Sequence, residues 1–179
     1  MYPVQFNVAQ LLKEPIGSVR RYDVQEDIQA LAAELPITTP LMGRVQFLHT
    51  PDGVLVTGRL ATAFATDCAR CLAPVQQQIE FELEEEFKAT VEVLTGAAIA
   101  VDPEEDPALL IDAQHILNLG EIIRQELWLS QDLAPVCRPD CRGLCPNCGR
   151  DLNTGPCGCT VDEIDTRWTA LKSLIQNED

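Results

Sequence analysis

The chain has 179 residues, enough for one domain with a hydrophobic core. Its formal net charge of −15 argues against non-specific binding to nucleic acid, because that affinity comes from many contacts between Lys or Arg and phosphate. No segment approaches the roughly 18 consecutive apolar residues of a membrane span. The N-terminus has no basic stretch followed by an apolar run. We therefore expect a cytoplasmic protein with no membrane partner.

The first 43 residues are weakly patterned. Alternation at Val4, Phe6 and Val8 predicts a first strand. A short helical turn is expected within residues 11–17, and a second strand within residues 19–24.

The next part of the chain predicts an antiparallel meander. A strand at residues 45–48 runs into the turn sequence TPDG at 50–53. Two long strands follow, and Cys68 and Cys71 lie between them at the tip of a hairpin. In the second of these strands the apolar residues alternate with glutamates, so one face is predicted to be buried and the other to be wet and acidic. The apolar set is Ile79, Phe81, Leu83 and Phe87, and the acidic set is Glu80, Glu82, Glu84 and Glu86.

Acidic residues are concentrated in this region. Between Glu80 and Asp106 there are ten of them against the single basic residue Lys88. The run predicts a solvated strand face and an acidic loop, or else a docking surface for a basic partner.

Two helices are expected towards the C-terminus. The first begins near Asp112, carries an apolar stripe that includes Ile116 and Ile123, and ends before Pro135. The second begins at Thr160 with a capping box. The predicted fold class is α+β: an antiparallel sheet, open or curled toward a barrel, with a long packing helix and a zinc-stapled C-terminal segment. The predicted division is a sheet-plus-helix domain over residues 1–136 and a Cys-rich segment with a helix over 137–179.

The eight cysteines indicate metal binding, because close thiol pairs in a reducing compartment bind metal more often than they form disulfides. Residues 137–159 hold six of them with four glycines and three prolines, a composition that cannot build a core without a staple. Cys145 and Cys148 have the spacing of a zinc-binding turn, and Cys157 and Cys159 can complete a four-thiolate site.

The remaining thiols are two further pairs, Cys68 with Cys71 and Cys137 with Cys141. We expect them to meet in a second site that clips the C-terminal segment to the sheet, which makes two Zn²⁺ per chain. Two alternatives stay open at this point: ligand sets that interleave Cys145 and Cys148 with the hairpin pair, or a single zinc within residues 137–159.

Catalytic chemistry is not indicated. Four-thiolate sites are closed, whereas a catalytic zinc keeps an open position. His49 and His115 lack metal-ligand spacing, and no phosphate loop or nucleophile elbow is present. Flanking strands also disfavour a redox dithiol at Cys68 and Cys71, which would need a helix N-terminus. We expect no enzyme and no small-molecule substrate.

Four arginines lie among the cysteines, against the acidic balance of the whole chain. They are Arg70, Arg138, Arg142 and Arg150. They balance the thiolate charge, or they form a small basic patch that contacts phosphate or an acidic partner.

With these residues in view, the chain resembles the YceD-like proteins, also called large ribosomal RNA subunit accumulation proteins. The specific match is CRGLCPNCGRDLN at residues 141–153. The other matching stretches are LKEPIGSVR at 12–20, CARCL at 68–72, ELWL at 126–129, PVC at 135–137, CGC at 157–159 and DTRWTAL at 165–171. Thr166 departs from the pattern, which has Pro there, and it touches no expected ligand.

The resemblance implies a role in the accumulation of large-subunit ribosomal RNA, hence in ribosome assembly, and no enzymatic activity. The expected partner is ribosomal RNA through the arginines, or a basic ribosomal protein through the acidic strand face. The alternative function is a zinc-dependent adaptor or regulator unrelated to ribosomes.

Overall fold

The computed structural model describes residues 4–159, and strands dominate it. In chain order the elements are β1 (Gln5–Asn7), α1 (Ala9–Leu12), β2 (Val19–Glu26), β3 (Leu41–His49), β4 (Gly53–Asp67), β5 (Pro74–Ala89), β6 (Leu110–Ile111), β7 (Ile116–Asn118) and α2 (Gly120–Leu129). A 3-10 turn, Pro107–Leu109, precedes β6. The predicted helix from Thr160 lies outside the described residues.

Five strands form an open sheet in the order β2-β3-β4-β5-β6. The neighbours from β2 to β5 are antiparallel, as the meander predicted, and the short β6 runs parallel to β5. β1 and β7 pair separately as a second, two-stranded sheet. The sheet therefore does not close into a barrel.

The turn between β3 and β4 sets the register of these two strands and lies close to the end of β5. Thr50 and Gly53 are joined by a backbone bond of 3.0 Å, and the Thr50 hydroxyl accepts from Gly53 N at 3.0 Å. A side chain at Gly53 would place its Cβ 2.0 Å from the Phe87 carbonyl oxygen, so only glycine lets β5 approach here. From this turn β4 and β5 pair without interruption as far as Asp67 and Pro74.

One face of the sheet carries the core. The predicted alternation of β5 is confirmed over residues 79–84: its apolar set is buried and Glu80, Glu82 and Glu84 are exposed, while Glu86 is half-buried. On β3, Phe47 is fully buried, and its ring centroid lies 5.0 Å from those of Phe6 and Tyr22. This aromatic trio joins β1 and the first two strands of the meander into one core.

The predicted helix from Asp112 is wrong at its start. The Asp112 carboxylate accepts from Gln114 N at 2.9 Å and from Ile116 N at 2.7 Å, and His115 has a φ of +60°. These bonds hold residues 112–116 in a turn. The chain is extended after the turn, and residues 116–118 form β7, which pairs with β1. α2 begins only at Gly120 and is ten residues long, with Ile122, Ile123 and Leu127 buried. The expected long packing helix is therefore a short one.

Candidate metal centres

The loop at the tip of the β4–β5 hairpin is a tight turn around Cys68. Its backbone N–H donates to Ala73 O at 2.8 Å, and its own carbonyl accepts from Leu72 N at 2.9 Å. Leu72 has a φ of +59°, a left-handed conformation that costs a non-glycine residue about 1–2 kcal/mol. The N–H of Arg70 points at the Cys68 sulfur, 3.4 Å away. The loop thus directs its sulfurs and its amides to one point.

The loop that holds Cys145 and Cys148 repeats this geometry. The Cys145 carbonyl accepts from Gly149 N at 2.9 Å, and Gly149 has a φ of +70°. The Cys145 N–H donates to Arg150 O at 2.8 Å. Both loops place the residue after the second cysteine in the left-handed region, where Gly149 is relaxed and Leu72 is strained.

Two backbone bonds attach the C-terminal segment to the hairpin tip. Ala69 N donates to Pro135 O at 2.8 Å, and Leu144 N donates to Arg70 O at 3.0 Å. The guanidinium of Arg70 also donates to Cys141 O at 2.9 Å. The segment between Pro135 and Leu144 is therefore carried across the hairpin loop.

The first tetrad, here called the hairpin site, consists of Cys68, Cys71, Cys137 and Cys141. The sulfurs of Cys68 and Cys141 are 3.8 Å apart, and those of Cys71 and Cys137 are 3.6 Å apart. All four lie within 4.8 Å of one another. Sulfurs bound tetrahedrally to Zn²⁺ at about 2.3 Å are about 3.8 Å apart, so this donor set fits a zinc ion.

The second tetrad, here called the tail site, consists of Cys145, Cys148, Cys157 and Cys159, again with all sulfurs within 4.8 Å. The eight thiols therefore fall into the two groups that the sequence analysis favoured, and they do not interleave. Both groups could hold a metal ion, and an all-sulfur donor set is compatible with zinc.

Backbone amides favour the thiolate form in both sites. The N–H groups of Cys137 and Cys71 lower the pKa of Cys68 to about 6. In the tail site, the N–H groups of Cys148 and Asn147 lower the pKa of Cys145 to about 6. Each site thus has a cysteine whose thiolate, the form that binds metal, is favoured by the backbone around it.

Asn153 is a site residue that the sequence analysis did not single out. Its amide nitrogen donates to the Cys141 sulfur at 3.5 Å and to the Asp151 carboxylate at 2.7 Å. Its amide oxygen accepts from Arg142 N and from the Arg138 guanidinium, both at 2.9 Å. The bond from Asn153 is also the largest cause of the lowered pKa of Cys141. In the sequence, the indication that Asn153 belongs to the site was its position at the end of the CRGLCPNCGRDLN stretch.

The four arginines do not form one open basic patch. Arg70 is held by the Cys141 carbonyl, and Arg138 is held by Asn153 and by Asp140, which is 3.4 Å away. Arg142 and Arg150 are exposed, and no side-chain hydrogen bond or salt bridge engages their guanidinium groups within residues 4–159. Two of the four cations therefore have no side-chain partner among the described residues.

Gly143→Ala tests the attachment of the tail. Gly143 has a φ of +72°, and an added Cβ would lie 2.9 Å from Arg70 O, the acceptor of the Leu144 bond. In a Cys145→Ser/Cys148→Ser background, we expect Gly143→Ala to weaken zinc binding about five-fold or more, equivalent to about 1 kcal/mol. Chelator competition measures this.

Gly149→Ala is the matched control in the same background. It has a similar φ, and its Cβ would meet no atom within 4 Å. We expect it to leave the affinity of the hairpin site nearly unchanged. Equal losses for the two variants would contradict the role given to the contact between Gly143 and Arg70.

Within residues 4–159, no helix is long and apolar enough to cross a membrane. No solved structure is significantly similar to the chain.

Sequence comparisons find relatives of this chain, and one family model matches most of it. The chain is 30% identical over 181 residues to an uncharacterized protein of Mycobacterium tuberculosis, covering 98% of this chain and 83% of that protein. A protein of Mycobacterium leprae is 26% identical over 97% of this chain and 78% of its own length. A maize protein named large ribosomal RNA subunit accumulation protein YCED homolog 1, chloroplastic, is 28% identical over 68% of this chain and 49% of its own length. The family model described as large ribosomal RNA subunit accumulation protein YceD matches residues 56–175, which include both cysteine tetrads. The chain therefore belongs to the YceD family.

Proposed function

We propose that this protein is a non-enzymatic ribosome-assembly factor that supports the accumulation of large-subunit ribosomal RNA and holds two structural Zn²⁺ ions. Membership of the YceD family, whose name states the accumulation role, is the observation that carries the ribosomal part. The two separate thiol tetrads support the zinc part.

In this proposal the hairpin and tail tetrads hold one zinc ion each. Zinc supplies cross-linking here: it would fasten residues 137–159, which lack a core of their own, and clip them to the β4–β5 hairpin. Four thiolates fill a tetrahedral ion, so neither site keeps the open position that hydrolytic zinc chemistry requires. The proposed activity is therefore binding.

We further propose that the direct partner is a basic ribosomal protein and not bare ribosomal RNA. The net charge of −15 opposes approach to phosphate. Two of the four arginines near the thiols are already engaged within the chain. The exposed glutamates of β5 offer the opposite charge to a basic protein.

Deletion of the gene tests the ribosomal role. We expect the large-subunit peak and the large-subunit ribosomal RNA to fall relative to the small subunit, and sucrose gradients with RNA quantification measure both. Wild-type protein should restore the profile, while a variant with all eight cysteines changed to serine should not. A normal large-subunit peak would point to a zinc-dependent adaptor outside ribosome assembly. Tight, salt-sensitive binding to purified ribosomal RNA fragments would contradict the choice of a protein partner.

A further inference from the structure

One side of β5 is unpaired along most of its length. Towards β4 it is paired from Pro74 to Lys88. On its other side it pairs with β6 only at Lys88 and Ala89. Within residues 4–159, the segment 74–87 therefore presents a free strand edge of fourteen residues, here called the β5 edge.

The register shows which residues face this edge. Ala89 N donates to Asp52 O, one step beyond the Gly53–Lys88 pair. In an antiparallel ladder the hydrogen-bonded pairs recur at every second residue, so the odd-numbered residues of β5 bond to β4. The even-numbered residues then direct both their N–H and their C=O to the β5 edge. These include Glu80, Glu82, Glu84 and Glu86.

The same glutamates carry a row of charge on the solvent face. The side chains of Glu80 and Glu82 are 62% and 70% exposed, and they share a single cation, Arg59 of β4. Glu84 lies opposite Thr57 and Glu86 opposite Leu55, and neither has a salt bridge among residues 4–159. The row is thus only partly neutralised by the sheet itself.

The N-terminal part of the edge opens onto a groove. A space of about 400 Å³ is lined on one side by residues 75–78 of β5 and on the other by Asp132 and residues 134–136. An added strand would lie about 4.8 Å from β5 in the plane of the sheet, and here it would enter this groove.

We propose that the β5 edge binds an extended basic segment of a partner protein, which adds to the sheet as a further strand. The inference rests on the proposed function, because it specifies how a basic ribosomal protein would be held. Backbone hydrogen bonds to the even-numbered residues would supply affinity. Lys or Arg at every second position of the segment would lie beside the glutamate row, since neighbouring side chains on paired strands are about 5 Å apart.

Charge argues for this occupant over two others. A second copy of the chain would bring its own glutamate row against this one, and like charges on paired strands repel. Residues 160–179 contain five acidic residues against two basic ones, so their charge does not complement the edge either. A long charged edge also resists self-association while it stays open to a partner of opposite charge.

Amide hydrogen exchange on the zinc-loaded full chain tests the proposal. The probe is the peptide Lys-Val-Lys-Val-Lys-Val-Lys, and the control is Lys-Lys-Lys-Lys-Val-Val-Val, which has the same composition without alternation. We expect the alternating peptide to slow exchange at Glu80, Glu82 and Glu84 about ten-fold or more, and the control to slow it far less. Amides that are already protected in the free chain, or equally unaffected by both peptides, would overturn the proposal.

Two substitutions at Glu84 separate backbone pairing from charge. Glu84→Pro removes an N–H at the free edge and leaves the ladder to β4 intact, as an edge strand tolerates. Glu84→Gln removes only the charge. We expect the peptide Kd to rise about ten-fold for Glu84→Pro and about two-fold for Glu84→Gln. Equal changes in Kd for the two variants would indicate a purely ionic contact and would contradict strand addition. If Glu84→Pro does not fold, the exchange pattern of the wild-type chain decides.

The two proposals can fail separately. Peptide addition at the β5 edge together with a normal ribosome profile in the deletion strain would leave the strand addition standing and remove the ribosomal role. If the deletion strain has a reduced large-subunit peak and the Glu84→Pro variant fully restores it, the ribosomal role stands and strand addition at the β5 edge is contradicted.

Discussion

Replacing Cys68 and Cys71 with serine is expected to lower the zinc content from two ions per chain to one. Serine oxygen is a poor ligand for a zinc ion in a thiolate site, and the remaining Cys137 and Cys141 cannot hold the ion by themselves. The purified proteins are compared by elemental analysis. One ion in both wild type and variant would contradict a zinc-binding hairpin site.

The structural consequence should reach beyond the ion. Without the hairpin site, the contacts described above that still hold the tail on the hairpin are the two backbone bonds at Ala69 and Leu144 and the bond from Arg70 to Cys141 O. Net hydrogen bonds contribute only about 1 kcal/mol each, so residues 137–159 should detach and become sensitive to protease.

The matched variant is Cys145→Ser/Cys148→Ser. It should also retain one zinc ion, but its attachment at Arg70 and Cys141 should persist because the hairpin site is intact. Limited proteolysis should therefore cut between residues 145 and 159 in this variant and near residue 135 in the other. Identical cleavage patterns would show that the two sites do not act separately.

Phe47→Ala is expected to cost about 3–5 kcal/mol of the free energy of unfolding, the range for removing a fully buried aromatic ring. Phe47 is 0% exposed, and it touches both other members of the aromatic trio. A loss of that size is a large share of the free energy of unfolding of a typical domain, which is roughly 5–15 kcal/mol. Urea unfolding of the zinc-loaded proteins measures it.

Met42→Ala is the control on the same strand. Met42 is 52% exposed, so its truncation should change stability by about 0.5 kcal/mol or less. A similar loss for both variants would mean that the aromatic trio is not the core described above.

Local pattern predicted much of the sheet because strand signals are short in range. The alternation of apolar residues with glutamates over Ile79–Phe87, and the turn at residues 50–53, each depend on neighbours along the chain. The predicted helix start at Asp112 was wrong because it, too, was inferred from local pattern alone. Ile116 and Leu119 suit a helical stripe, but the bonds made by Asp112 and the partner strand β1 decided otherwise. The division of the chain at residue 136 stays a prediction.

By itself, the sequence determined that the thiols come in pairs, that the pairs suit a metal, and that one face of β5 is acidic. These properties follow from residue type and from spacing over a few positions. Only the tertiary structure decided which pairs meet, because Cys68 and Cys141 are 73 positions apart and are brought together by bonds from Ala69 and Leu144. It also decided that Arg70 and Arg138 are engaged within the chain, and that one side of the acidic strand is unpaired over residues 74–87 among the described residues. These features depend on contacts between residues that are far apart in the sequence, and local sequence patterns do not predict such contacts.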